Sequence, residues 1–582
     1  MKVIRDNVHG DIEFSAEEMK LLHTAGFERL HGCRQLGLSH LIYPGAKHSR
    51  FEHVLGVMHV ATEIAKRMRE QQAFFPKDKN GDELLRVLRF SALLHDMGHV
   101  PFGHTLEDEM PIISKHDVPA GDGYGRADSL GKEQTAPVKP SRMDVAVSDV
   151  LRASGNERLI KPVLQVLRAI AESKDDEKLH DLVTKREIDP DYLVLADIIG
   201  NTICADLLDY IKRDHMMAGI SATYDSRIFR YFGVAEHKGH KRAVIQLIKN
   251  GRVRNDALAD LLDILKLRYN LSDKVLYHPK KCAADAMIIK AVSESGLGDD
   301  DLMQYSDDGL LDHLRKQPLV EMIRQWKLFK SVFVCGHGQI NTYNEKYQKR
   351  RLIRELHENT ELRGGIEKRV EREMGFPVNQ TSVLIFCPSP KMTLKPVRAL
   401  VQWKDGTIRR LNEIGKDDDP LTYDQVALLQ EIYPQLWKLY LFVDPDIRSH
   451  AKSIQTKFVE ILREEAGLSA TCDPAFQYYL EEHCFDSKMG RLLDQDLARH
   501  PSFMRFTEEQ RVRITLKCHD RIPVDHYSDE YADSEPKVLA SRLDESALRQ
   551  QRLEIINGVL SEERNEKKAD QAQLGLLDKK TP

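Results

Sequence analysis

The sequence predicts a mainly α protein: an all-helical core followed by a smaller α+β lobe toward the C-terminus. Two observations carry this expectation. Apolar residues recur at helical spacing through segments near 16–37, 50–72, 82–97, 143–220, 241–270 and 278–296. Short β-branched or aromatic runs appear only later, at Thr381–Phe386, Ala399–Trp403 and Leu439–Val443. With 582 residues the chain can bury a large core and is expected to hold more than one domain.

Taken in order, three helical segments lead to an apolar run, Val87 to Leu94, which stops at His95-Asp96. Gly98 and Pro101 lie just beyond and break the helix there. Residues 111–145 change character, since Gly, Pro, Asp and Lys dominate Asp117 through Ser141; this stretch reads as a mobile insertion and a candidate lid. Asn201 to Ile220 is expected to be a helix, with Asp206, Tyr210 and Asp214 at i, i+4 and i+8 on one face. Beyond 375, helical stretches 422–432 and 446–466 alternate with the strand-like runs. The expected organisation is a core over 1–330, a connecting helical region over 331–374, an α+β lobe over 375–524, and an acidic linker with a charged tail over 525–582. No internal repeat is visible.

The bulk numbers describe an ordinary soluble protein, with 41% hydrophobic and 30% charged residues. A net charge of -5 argues against coating nucleic acid, while leaving local basic patches open. Eight cysteines are scattered without a CxxC pair, so reduced thiols are expected rather than a disulfide framework. No apolar leader and no run of transmembrane length is present, so the expectation is a cytoplasmic protein with no membrane partner.

The most informative stretch is His95-Asp-Met-Gly-His-Val-Pro-Phe-Gly-His-Thr-Leu-Glu107. Imidazoles and carboxylates at the edge of a core are costly to desolvate unless they are paired or bound to metal. Adjacent His95 and Asp96 cannot share one helical face, so a salt bridge along the helix fits them poorly. At a helix end, one metal ion can collect both side chains. Four side chains, His53, His95, Asp96 and Asp206, can complete one site. Imidazole with carboxylate suits a divalent ion such as Mn, Fe, Mg, Ni or Zn, and four protein ligands of this kind leave coordination positions open for catalysis.

The spacing His53…His95-Asp96…Asp206 resembles the HD superfamily of metal-dependent phosphohydrolases. Within it, the extended form HDxGHxPFxHxxE resembles the deoxynucleoside triphosphate triphosphohydrolases, including the HD core of their vertebrate antiviral branch. The strings Gln35-Leu-Gly, Tyr43-Pro-Gly-Ala-Lys-His-Ser-Arg50-Phe-Glu-His53 and Asp206-Leu-Leu-Asp-Tyr210-Ile-Lys-Arg-Asp214 are similar too. The likeness spans roughly 1–290 and continues weakly through 380–465.

The resemblance implies His53, His95, Asp96 and Asp206 as metal ligands and Arg50 as a phosphate contact. It implies His99 as the catalytic histidine, with Glu107 orienting a histidine for proton transfer. His116 is the candidate for the second histidine of that relay, although its Lys-His-Asp context departs from the family's His-Glu. His104 is expected near the substrate. Tyr210 and Asp214 would meet the deoxyribose, Tyr210 by occupying the place of a 2′-hydroxyl. Gln35 and Leu36 match sugar or phosphate contacts, and Arg268 and Tyr277 match the triphosphate end with the register displaced by one.

Two departures stand out. Leu207 occupies a position where relatives often carry a basic residue. Lys2-Val3-Ile4 resembles a strand of an allosteric nucleotide site, yet His23, Glu28 and His31 replace the residues expected to read guanine there. An allosteric nucleotide other than guanine therefore stays open. A homo-oligomer is expected by analogy.

The expected activity is hydrolysis of a dNTP to a deoxynucleoside and triphosphate, with nucleotide activation and a role in antiviral defence as options the resemblance brings. The alternatives are an HD nuclease or phosphodiesterase acting on nucleic acid or cyclic dinucleotides, and a non-catalytic nucleotide sensor. Two other features carry less. The basic run Lys346–Arg354 could touch nucleic acid but reads more readily as a solvated helix face. Cys335-Gly-His-Gly-Gln is expected to be a loop.

Overall fold

The computed structural model describes residues 2–71, 74–117, 140–173, 175–249, 252–342, 346–377, 380–390, 399–403, 405–418, 420–483, 492–493, 495–519, 549–550 and 552–564. It is mainly α, and its internal contacts divide it into two units. The first comprises Met1–Lys327 and Cys387–Trp437; the second comprises Leu328–Phe386 and Lys438–Pro582.

The first unit is built around the helix Arg50–Glu70. Ser49 starts it with a reciprocal cap: its hydroxyl accepts the Glu52 N–H, while the Glu52 carboxylate accepts the Ser49 N–H at 2.6 Å. The cap places Arg50 in the first turn and His53 one turn later on the same side. Val54, Val57, Met58, Ala61 and Ile64 are buried along this helix. The helices Lys79–Leu94 and Ala205–Met217 both pack on it. Asp78 caps the first of these, and Cys204 precedes the second. Three metal-ligand candidates thus come from three helices that share one apolar core.

Three sheets among the described residues complete this unit, the smallest being the pair Ile248–Lys249 and Arg252–Val253. Lys2–Asp6 and Gly10–Phe14 form an antiparallel hairpin with Ile4 opposite Ile12. Phe232–His237 pairs antiparallel with His240–Gln246, and Leu400–Gln402 joins the latter in parallel, with Ile408–Arg410 at the edge. Residues near 400 therefore belong with the first unit rather than with a lobe running from 375 onward.

The helix expected to begin at 241 is corrected by this sheet. His240–Gln246 is a strand, and the helix covers Asn255–Leu271. Arg242 and the Ala243 N–H both bind the Asp197 carboxylate from the strand, at 2.7 and 3.0 Å. That pairing favours an extended segment. The segment near 16–37 is also broken, into Ala16–Leu22, Ala25–Glu28 and single tight turns. The Thr24 hydroxyl donates to the Leu21 carbonyl, which ends the first helix.

In the second unit, Lys438–Val443 is the central strand between Lys330–Gly336 and Val383–Phe386, antiparallel to both. Cys335 is buried within a strand that ends at Gly336, so only residues 337–339 form the expected loop. Helices Lys346–Glu358, Thr360–Glu373 and Ala451–Ala466 accompany this sheet.

Most of the expected insertion (118–139) and the acidic linker (525–536) lie outside the described residues, as do the last residues of the tail (565–582). The two ends of the insertion meet, since the Met143 N–H donates to the His116 carbonyl at 3.1 Å. Among the described residues no helix is long and apolar enough to cross a membrane.

Candidate metal centre and histidine relay

His53, His95 and Asp206 bring one ligand atom each to within 4.8 Å of one another. The Asp206 Oδ1 atom lies 3.1 Å from His53 Nε2 and 3.9 Å from His95 Nε2. Both imidazoles are oriented from behind. His53 Nδ1 donates to Asp209 Oδ2 at 2.8 Å, and His95 Nδ1 donates to the Ala92 carbonyl at 2.8 Å. These bonds fix the tautomers and leave each Nε2 lone pair facing the cluster, as metal-bound histidines require. His95 Nε2 is buried with no hydrogen-bond partner, an arrangement that is costly unless something occupies its lone pair.

Asp96 stands at the rim of this group. Its Oδ2 accepts from Arg50 Nη1 at 2.6 Å and lies 4.0 Å from His53 Nε2. Its Oδ1 lies 3.5 Å from His95 Nε2 and 3.4 Å from His99 Nε2. The donor set fits a divalent cation: two neutral imidazole nitrogens and two carboxylates, with Arg50 beside one carboxylate.

Electrostatics agree with the geometry. Burial disfavours a charged His53, but Asp206 and Asp209 on either side outweigh it and push the imidazole up to about 10. Burial would raise Asp96, yet Arg50 and His95 hold it well below the usual carboxylate range. With no ion bound, a proton on His53 balances the acids. A metal ion would replace that proton.

The second group is built from the loop that follows. Glu107 is fully buried in the turn Thr105–Glu109. Its Oε2 accepts from His116 Nδ1 at 2.7 Å and lies 3.3 Å from His99 Nδ1; its Oε1 accepts from Arg142 Nη2 at 3.0 Å. The rings of His99 and His116 are 3.8 Å apart. His99 therefore stands between Asp96 of the metal group and Glu107 of the relay. Burial, with Arg50 and His116 nearby, pulls His99 down to about 4, so it is neutral near pH 7. Burial opposes charge on His116 as well, but Glu107 wins and raises it. Glu107 itself is held well below the usual range by the two histidines, against the effect of burial.

The loop between the groups is strained. Phe102 has φ of 60° and Gly103 has φ of 40°. The left-handed region costs a side chain such as Phe about 1–2 kcal/mol. Asp307 holds the turn by accepting the Phe102 N–H at 3.0 Å and the Arg34 N–H at 2.9 Å. Gly103 also needs to lack a side chain, because a Cβ there would sit 2.3 Å from Arg50 Nη2. Arg29 adds two bonds from below, to the Met97 and His99 carbonyls at 3.1 and 2.8 Å.

The remaining sequence-derived residues fall into two sets. Leu36 packs in a small apolar group against Tyr210, and Gln35 Oε1 is buried without a partner. Arg268 lies close enough to Tyr210 and Asp206 for their charges to raise it, against the effect of burial. The expectation that Asp214 is free to accept a substrate hydroxyl is qualified, because its Oδ1 is taken by His48 Nε2 at 2.8 Å. His104 is more than half exposed; its Nδ1 binds Asp108 at 2.7 Å and its ring lies 4.6 Å from His99. Tyr277 is raised by burial and by Glu109, on the Lys281 side of the Glu107 turn. Asp209, Arg142, Arg29 and Asp307 were not anticipated from the sequence. Asp209 alone had a local signal, lying between Asp206 and Arg213 on one helix.

Comparison with known proteins agrees with this arrangement. Residues 50–214 match the family model "HD domain". An uncharacterized protein of Methanocaldococcus jannaschii is 27% identical over 483 residues, covering 80% of this chain and 88% of its own length. Deoxynucleoside triphosphate triphosphohydrolase SAMHD1 of Xenopus laevis is 35% identical over 300 residues, covering 50% of this chain and 45% of its own. The human protein of that name is 24% identical over 339 residues, covering 57% and 50%. The match thus spans about half the length of these triphosphohydrolases. A phosphohydrolase of Bacteroides thetaiotaomicron VPI-5482 shares the fold, with a TM-score of 0.50 and 18% identity, covering 76% of this chain and 100% of that one. Residues 50–214 are thus similar to HD domains, and about half of the chain is similar in sequence to the deoxynucleoside triphosphate triphosphohydrolases.

Proposed function

We propose that the protein is a metal-dependent dNTP triphosphohydrolase, which releases a deoxynucleoside and inorganic triphosphate. The observation that carries this reading is the contiguity of the two groups: His99 is 3.4 Å from Asp96 on one side and 3.3 Å from Glu107 on the other. A divalent ion held by His53, His95, Asp96 and Asp206 would polarise a phosphoryl oxygen and lower the pKa of a bound water.

The chain's own residues do the rest. Arg50 neutralises phosphate charge beside the metal ligands. Water attacks the α-phosphorus and the bond to the 5′-oxygen breaks. The leaving 5′-oxygen takes a proton through His99, which is itself neutral and is resupplied by His116, the ring whose proton Glu107 favours. Glu107 keeps its charge throughout and fixes both rings, with Arg142 holding its other oxygen. Tyr210, beside Leu36 and near Arg268, forms an apolar wall that favours a sugar without a 2′-hydroxyl. Gln35 offers a buried unpartnered oxygen toward the same substrate, and Asp214 acts through His48.

The test is a panel of substrates. Protein with Mn²⁺ or Mg²⁺ is given each dNTP singly and mixed, each NTP, single-stranded DNA and cyclic dinucleotides. Triphosphate and deoxynucleoside from dNTPs support the reading. Nucleoside monophosphates alone would assign a nuclease or phosphodiesterase instead, and binding without turnover would assign a sensor.

A further inference from the structure

Behind the metal group lies a buried polar network that reaches the N-terminal hairpin. Asp209, fully buried, accepts four hydrogen bonds. Its Oδ2 takes His53 Nδ1 at 2.8 Å and Arg213 Nε at 2.9 Å; its Oδ1 takes His9 Nε2 at 2.7 Å and Arg213 Nη2 at 2.9 Å. Arg213, also fully buried, continues to Asp6 Oδ2 through Nη1 at 2.9 Å. Asp6 in turn organises the hairpin bend, because its Oδ1 accepts the Val8 and His9 N–H groups at 2.9 and 2.8 Å.

His53 is therefore oriented by one carboxylate, and that carboxylate is held by one side chain of its own helix and one of the hairpin. The helix surface is shaped for this contact. A Cβ at Gly56 would lie 1.9 Å from Asp209 Oδ1 and 2.4 Å from Arg213 Nη2, so only glycine admits the pair. Neither Asp209 nor Arg213 is needed to fill the core at this point; apolar residues would do so without desolvating charge. The network's evident product is a fixed His53 ring.

We infer that His9 and Asp6 of the hairpin are positioning residues for the metal centre, acting through Asp209 on His53, so that the hairpin sets the centre's affinity for its ion. Removing His9 leaves Asp209 free to turn on its Arg213 contact, and His53 loses the constraint that aims Nε2 at Asp206. Partners behind metal ligands typically contribute 10-fold to 100-fold in affinity. The inference rests on the metal-centre reading above and extends it beyond the ligands.

The experiment is metal titration of the full chain against a chelating indicator, with Mn²⁺ and with Co²⁺, whose absorption reports ligand geometry. His9→Leu is expected to weaken binding by roughly 10-fold or more and to alter the Co²⁺ spectrum. His9→Gln, which keeps an N–H for Asp209, is expected to restore both toward the parent. Circular dichroism and melting of the metal-free proteins register the fold separately. Should His9→Leu fail to fold, Asp6→Asn is measured in its place, since it loosens Arg213 while keeping an acceptor for the bend. A folded variant of either kind that binds metal as tightly as the parent overturns the inference, as does equal weakening in His9→Leu and His9→Gln. A parent protein that binds no metal would instead overturn the metal centre itself.

Discussion

The metal group and the relay lie side by side but are assembled on opposite principles. In the first, two imidazoles are anchored from outside, at Asp209 and at the Ala92 carbonyl, and their free nitrogens converge with Asp206 on a common point. In the second, the carboxylate is at the centre and everything else points at it: His99, His116 and Arg142 all turn toward Glu107. The first arrangement leaves lone pairs bare for an ion. The second leaves protons shared among partners already in place. The difference teaches that one motif of thirteen residues supplies a candidate ligand end and a candidate proton-transfer end, which meet at His99.

Substitutions should separate the two ends. The largest effect is expected from His95→Ala or Asp206→Ala, which remove a converging ligand. Metal affinity should fall by more than roughly 100-fold, beyond the contribution of outer partners, and turnover should fall with it. Metal content after gel filtration, measured beside activity, checks this. Glu107→Gln should retain metal while turnover falls by roughly 10²–10⁴-fold, the range of a lost acid–base partner. A Glu107→Gln protein that also loses its metal would merge the two groups into one.

Arg142→Met tests the relay more gently. It leaves Glu107 both histidines but frees its Oε1, and turnover should fall about tenfold, equivalent to ~1.4 kcal/mol on the barrier. The last effect, on stability rather than turnover, concerns the strained turn that joins the ends. Burial, against the two N–H groups it accepts, raises Asp307 from 3.8 to about 6. A folded-state value above the ordinary one means that this group favours folding at low pH, and that the contribution is lost as pH rises through about 6. The stability margin of the parent over Asp307→Asn should therefore narrow between pH 4 and pH 7, by up to ~3 kcal/mol, in denaturant titrations. A margin that widens with pH would contradict this assignment.

How much of this was legible in the sequence varies with the kind of residue. The candidate ligands could be grouped from the sequence because imidazole beside carboxylate at a helix end has few other uses, and His53 and Asp206 sit on helices with clear periodicity. His116 was readable only as the nearest histidine, and its place beside Glu107 came from the meeting of two chain segments across the insertion. Arg142, Asp307 and His9 carried no signal, because each acts across a long sequence separation through a single side chain. The strand at His240–Gln246 was misread as helix: its mixed polar and apolar order satisfied either period over so short a run, and pairing with Phe232–His237 decided it. The residues from 375 onward were assigned to a separate lobe because texture changes there, whereas strand pairing returns Leu400–Gln402 to the first unit.

The central claim is that water attacks the α-phosphorus of a dNTP at the metal group, with His99 serving the leaving oxygen. Hydrolysis in ¹⁸O-labelled water, with products resolved by mass spectrometry, tests it most directly. The account predicts label in the triphosphate and none in the deoxynucleoside. Label in the deoxynucleoside, or products consisting of monophosphate and pyrophosphate, would contradict it.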